Sequence, residues 1–292
     1  MDLINRIAIG TVQFGLSYGV SNMSGQVGMD EVSRILSHAR LHNADTLDTA
    51  IAYGESEAVL GKIGVNNWKV ISKLPAVPNG IVDVQTWVER EVFSTLERLR
   101  IPCLDGLLLH RPDQLNEKLV GDSLYRALQS LKDQGYVRKI GISVYSHKEL
   151  SSLMEGRGFD LIQIPLNIID RSFVDSGTAT KLKAQGIEIH IRSIFMQGLL
   201  LMGIGRPKKF ERWNSLWQQW DEWLSLNAIT PLEACIRYAM SVSEVDRIVV
   251  GIESLDQLKE IFSAVHGGLP ALPRWSSPID ENLLNPAKWS QL

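Results

Sequence analysis

The sequence predicts a single-domain α/β protein built as a (β/α)8, or TIM, barrel, and three observations carry that expectation. Eight short apolar runs end in polar residues, helical repeats separate them, and the length of 292 residues fits the ~250 typical of such a barrel with modest insertions. Strict alternation of strand and helix implies a parallel sheet. An open doubly wound sheet is the competing fold, with a Gly-rich phosphate turn expected after its first strand. Gly10-Thr11-Val12-Gln13-Phe14-Gly15 lacks that spacing.

The expected strands cover 6–10, 45–49, 69–74, 104–110, 139–144, 160–166, 188–194 and 247–252. Each is an apolar run of strand length bounded by polar residues. Between the third and fourth, Val84, Val88, Val92, Leu96 and Leu99 recur at spacings of three and four, so 82–100 reads as a helix with one apolar face. Over 119–134, Leu124, Leu128 and Leu131 form a stripe, and Gly135 supplies the stop. After the seventh strand, Trp213, Trp217, Trp220 and Trp223 fall on one face of an extra helix near 211–226. Packing over the barrel is its plainer role; a substrate wall or subunit contact is the sharper one. A C-terminal tail carrying Trp275 and Trp289 completes the single domain.

Hydrophobic residues make up 45% of the chain, charged residues 22%, and the net charge is −3. That balance disfavours nucleic acid or an anionic membrane as a partner. Two cysteines, Cys103 and Cys235, without a basic-then-apolar leader, fit a reducing cytoplasm. No apolar run is long enough to span a bilayer. The six His show no paired ligand spacing, so no metal site is expected.

Four residues then stand out where strands run into loops: Asp48, Tyr53, Lys73 and His110. In a parallel barrel the C-terminal strand ends converge on one face, so these residues can meet. A phenol titrates near ~10 in water and is a reluctant acid at neutral pH. A neighbouring ammonium favours its phenolate form. Lys73 supplies that charge, Asp48 keeps Lys73 cationic and oriented, and His110 hydrogen-bonds a substrate carbonyl. Singly, each has a plainer reading as a loop cap, a solvated lysine or a satisfied rim histidine. A Schiff-base role for Lys73 is a separate alternative.

The chain resembles the aldo-keto reductase superfamily, in a bacterial branch, over nearly its whole length. The resemblance rests on Leu47-Asp48-Thr49-Ala50 with Tyr53-Gly54 and Glu57, Ser72-Lys73, Leu107-Leu108-Leu109-His110, the 131–138 segment, Ile140-Gly141-Ile142-Ser143, Ile162-Gln163 with Asn167, and Gly198-Leu199-Leu200. It implies that Asp48, Tyr53, Lys73 and His110 form the family's catalytic tetrad. It also implies reversible hydride transfer between a nicotinamide and an aldehyde or ketone, a small-molecule carbonyl substrate. NADPH is the default cofactor and NADH the second candidate.

The same resemblance assigns Ser143 and Gln163 to the nicotinamide carboxamide, with Val144 where the family commonly has Asn. Arg192 stands where an aromatic residue commonly stacks on the nicotinamide, followed by Ser193. A guanidinium can stack on a ring or meet an anion. Gly251, Ser254 and Gln257 fall at the adenosine end. The Arg that often clamps the 2′-phosphate of NADP is replaced by Gln257, with Glu253 nearby. Asn167 reads as a turn residue or a substrate contact. The 10–19 and 192–200 segments look like a branch associated with surface-polysaccharide synthesis, which suggests a sugar-like carbonyl. The family's potassium-channel beta subunits make a cofactor-binding interaction module with little turnover the alternative.

Overall fold

The computed structural model describes residues 3–203, 205–276 and 278–291. Its strands are β1 (Ile7–Gly10), β2 (Thr46–Asp48), β3 (Lys69–Leu74), β4 (Gly106–Leu109), β5 (Ile140–Ser143), β6 (Leu161–Pro165), β7 (Glu188–Arg192) and β8 (Arg247–Gly251). They close into one barrel in chain order, with β1 paired to β8, and every pairing is parallel. The fold is the eight-stranded (β/α)8 barrel expected from the alternating pattern.

Most strand residues are buried on both faces, which is why these runs read as continuously apolar rather than alternating. Between sheet and helices lies the main core; Ile71, Leu108 and Leu161, all 0% exposed, form a separate cluster inside the barrel. Burying each of these side chains stabilises the fold by roughly 1.5–3 kcal/mol. Bulk there is matched by glycine. A Cβ on Gly141 would stand 2.0 Å from the Leu161 carbonyl oxygen.

Side-chain parity sets the site. In a strand, residues two apart share a face, so Lys73 lies above Ile71, His110 above Leu108 and Gln163 above Leu161. The inner barrel face thus changes from apolar to polar over one layer, at the C-terminal rim.

Three ends differ from expectation for local reasons. The fourth strand is shorter than 104–110, since Leu104 makes only an isolated bridge to Val137. The His110 N–H nevertheless donates to the Leu74 carbonyl at 2.9 Å. The seventh strand stops at Arg192 because Ser193 turns into the left-handed region, φ 61°. The 82–100 pattern starts its helix at Val84 because the Asp83 side chain accepts from the Thr86 N–H, satisfying a first-turn donor.

The extra helix is Asn214–Leu226. Trp217 and Trp220 are buried in it. The indole N–H groups of Trp213, Trp217, Trp220 and Trp223 donate to Asp280 and to the carbonyls of Phe210, Leu200 and Ala271. Trp289 is buried too and meets Phe210 edge-on. Among the described residues no helix is long and apolar enough to cross a membrane.

Candidate active site

A cavity of about 650 Å³ opens at the C-terminal rim, lined by Asp48, Tyr53, Lys73 and His110 together. Lys73 is 1% exposed. Its Nζ lies 2.5 Å from Asp48 Oδ1 and donates to the Thr49 carbonyl at 2.9 Å. Burial is the largest single influence and pushes this amine down, but the charge and hydrogen bond of Asp48 together with Tyr53 outweigh it, and the Lys73 pKa lies above its ordinary value. An ammonium has three donors. Its third has no acceptor among the described residues, and Nζ stands 5.1 Å from the centroid of the Tyr53 ring.

His110 meets Tyr53 edge-on, with ring centroids 5.9 Å apart. Burial, reinforced by the charges of Lys73 and Arg192, pushes the imidazole down to about 4. It is therefore neutral at neutral pH and carries one N–H donor. Neither the Tyr53 hydroxyl nor the His110 ring hydrogen-bonds another described residue. Both line the cavity, so two proton donors are open to a ligand.

Local structure fixes Tyr53. Its N–H donates to Ala50 and its carbonyl accepts from Ser56, at 3.0 and 3.1 Å. The Ser56 hydroxyl bonds Thr11 Oγ1 at 2.8 Å and Thr49 Oγ1 at 3.1 Å, tying the loops after β1 and β2 together. A Cβ on Gly15 would come within 1.9 Å of the Tyr53 carbonyl, so only glycine lets these loops approach so closely. Glu57, quoted in the family pattern, does structural work: it accepts from Ser72 at 2.7 Å and pairs with Arg98.

The residues assigned to a nicotinamide form one network. Gln163 Nε2 donates to Asp48 Oδ2 at 2.6 Å, Ser143 Oγ lies 3.4 Å from Gln163 Oε1, and Arg192 Nε donates to Ser143 Oγ at 3.4 Å. Gln163, Arg192 and Ser193 line the cavity, whereas Ser143 stands behind it. Val144 is fully buried and receives Arg192 Nη2 on its carbonyl at 3.0 Å, so its side chain offers nothing polar. Arg192 lies over the Tyr145 ring at 4.7 Å and has no carboxylate partner among the described residues.

At the far end, Gly251 and Gln257 line the cavity but Ser254 does not. Ser254 caps the Leu255–Ala264 helix, its Oγ accepting from the Gln257 N–H at 3.2 Å. Asn167 is a turn residue: its Oδ1 accepts from the N–H groups of Ile169 and Asp170.

Several cavity residues escaped sequence reasoning, namely Gln13, Tyr18, Tyr145 and Glu260. Only the backbone of the 193–198 loop could have signalled its importance: Ser193, Met196 and Gln197 all have positive φ, at 61°, 49° and 54°. Such conformations in non-Gly residues cost energy and gather at ligand sites.

A model of the Aldo/keto reductase family matches residues 6–271, a span containing all eight strands and the four convergent residues. The chain belongs to the aldo/keto reductase family. Among curated members it is similar to Aldo-keto reductase str7 of Strobilurus tenacellus, 28% identical over 226 residues, and to Aldo-keto reductase YhdN of Bacillus subtilis, 28% identical over 189 residues. Those alignments cover 71% and 59% of this chain. They span 65% and 53% of the two relatives, under two thirds of either length.

Solved structures show the same fold in this family. The holo form of an aldo-keto reductase from Bacillus halodurans superposes with a TM-score of 0.71 at 18% identity, covering 91% of this chain and 88% of that one. A glycerol dehydrogenase from Gluconobacter oxydans gives 0.71 at 21% identity with the same coverage. Val144 and Arg192, where the resemblance anticipates an Asn and an aromatic residue, are in direct contact.

Proposed function

We propose that this chain is a nicotinamide-dependent carbonyl reductase in which Tyr53 is the general acid. One observation carries the reading: a buried ammonium with a spare donor stands beside a phenol and a neutral imidazole, both without a hydrogen-bond partner among the described residues, in the lining of one cavity. The chain's residues fit a nicotinamide dinucleotide. The cavity is long enough in its lining to run from the tetrad to the Leu255–Ala264 helix, and its volume lies in the range of cofactor sites.

NADPH or NADH, when bound, would supply the hydride for the carbonyl carbon. Tyr53 delivers a proton to the carbonyl oxygen, and the Lys73 ammonium stabilises the negative charge that develops on the phenol. Asp48 holds Lys73 in place through the 2.5 Å contact. The neutral His110 N–H points the substrate carbonyl toward Tyr53. In oxidation the phenolate acts as the base. Gln163, backed by Ser143, would hold the nicotinamide amide with Arg192 and Ser193 beside it, and Gly251 and Gln257 would line the adenosine end, where Ser254 caps the helix. Tyr18 and Tyr145 line the same cavity, Tyr145 beneath Arg192, and their phenols suit a sugar-like aldehyde or ketone.

Burial of Lys73 and its ion pair disfavour a Schiff-base role. The interaction-module reading draws on the Trp face and on the carboxamide position at Val144; the four indole N–H groups of that face bond within the chain, which favours internal packing over a partner surface.

Tyr53→Phe tests the reading. The expected result is a fall in kcat of about 10²–10⁴, with the dissociation constant for the reduced cofactor changed by less than about 3-fold. Full activity in this variant removes Tyr53 as the acid.

A further inference from the structure

Past Gly251, the cavity continues to the start of the Leu255–Ala264 helix, where Glu253, Gln257 and Glu260 line it. Lys73 and Arg192 are the only Lys or Arg among its lining residues, and Lys73 is held at the other end by Asp48. This arm therefore carries two carboxylates and no cation of its own.

A helix start ordinarily attracts anions because its first N–H groups lack acceptors. Here the chain fills two of them itself. The Leu255 N–H donates to Glu31 Oε1 at 2.6 Å, and the Gln257 N–H to Ser254 Oγ at 3.2 Å. Just before the helix, the Glu253 N–H donates to Gln257 Oε1 at 2.9 Å. The two nearby cations are also committed: Arg34 pairs with Glu31, and Lys259 with Asp256 at 2.9 Å.

Gln13 supplies an independent observation. It is 8% exposed, lines the cavity, and its Oε1 is a buried acceptor with no donor. Its amide lies so close to β8 that a Cβ on Gly251 would stand 2.6 Å from Nε2. A buried acceptor without a donor is costly, so this position calls for a ligand that donates. Ribose hydroxyls donate; an ionised phosphate only accepts and would meet the Glu253 and Glu260 charges.

We infer that this arm receives a ribose with free hydroxyls, and that the enzyme selects NAD(H) over NADP(H), with Gln13, Glu31 and Glu253 as the specificity-determining residues. The inference rests on the proposed cofactor dependence and narrows it to one of two cofactors.

Calorimetric titration of the intact wild-type chain with NADH and with NADPH tests it without requiring any variant to fold. NADH is expected to bind at least about 10-fold more tightly, one decade in dissociation constant. In Glu31→Gln/Glu253→Gln, the ratio is expected to narrow by about 5-fold or more, chiefly through tighter NADPH. Equal or tighter NADPH binding by the wild type overturns the selectivity and leaves the reductase reading intact, as does an Arg34→Ala variant that loses NADPH affinity alone. If neither dinucleotide binds at millimolar concentration, the reductase reading falls and this inference with it.

Discussion

Lys73 Nζ and Asp48 Oδ1 stand 2.5 Å apart with their side chains 1% and 5% exposed. A pair this deep is strongly asymmetric in its response to change. Removing one partner strands a buried charge, at about 3–5 kcal/mol, whereas removing both can be nearly neutral. Lys73→Met is expected to lower kcat by about 10²–10⁴ and to destabilise the fold by about 3–5 kcal/mol. The double variant Asp48→Asn/Lys73→Met should regain most of that stability and none of the activity. Urea unfolding midpoints and steady-state kinetics separate the two effects; recovery of turnover in the double variant would contradict the role given to the ammonium.

The imidazole of His110 is held down to about 4, from an ordinary 6.5, first by burial and then by Lys73 and Arg192. The unfolded chain thus takes up this proton at higher pH than the folded one, so the His110 contribution to stability declines as pH falls from about 6.5 toward 4. For catalysis the consequence is a neutral N–H donor over the whole neutral range. The kcat/KM profile is expected to be flat on its acid side from about pH 7 to 5 and to fall near 4. His110→Asn keeps a donor but cannot titrate, and should lose that acid limb. An inflection near 6.5 that disappears in this variant would refute the assignment of a depressed imidazole.

The barrel was legible in the sequence because parallel strands buried on both faces leave apolar runs that end abruptly. Asp48, Lys73 and His110 were legible because each ends such a run, where parity then turns it inward. Tyr18, Tyr145 and Gln13 were not, since they reach the cavity from loops and from the one-turn Val12–Gly15 helix, whose paths depend on contacts such as Gly15 against Tyr53. The Arg192 contact with Val144 was equally hidden: sequence placed the two at the ends of separate strands, and the Arg192 side chain reaches across β6 to the Val144 carbonyl.

Trp220 is fully buried, donates its indole N–H to the Leu200 carbonyl at 3.2 Å and stacks on Trp223 at 5.7 Å. Its role is to fasten the Asn214–Leu226 helix over the loop after β7. Trp220→Ala is expected to cost about 3–5 kcal/mol of unfolding free energy by leaving a large cavity. Trp220→Phe, which keeps most of the volume but leaves the Leu200 carbonyl unpaired, should cost about 1–3 kcal/mol. A denaturant midpoint unchanged in Trp220→Ala would mean that the helix is dispensable packing.

At the opposite, N-terminal end of the barrel, Glu188 accepts from His190 Nε2 at 2.7 Å and pairs with Lys139 at 2.7 Å. Burial would raise this carboxyl, but the hydrogen bonds of His190 and Lys139 and their charges prevail and hold it down to about 2, against 4.5 in the absence of these contacts. A depressed carboxyl contributes its full stability above its unfolded value and loses it as pH falls through the folded one. The window is therefore about pH 4.5 down to 2, and, because solvent screens this partly exposed group, the contribution is on the order of 1 kcal/mol. Glu188→Gln should be less stable than the wild type at pH 7 by about that amount, and the two urea midpoints should converge as pH approaches 2. Activity per folded molecule should stay unchanged at pH 7, because this ion network lies across the barrel from Tyr53. A constant gap between the two midpoints over that pH range would show that Glu188 contributes by packing and not by its charge.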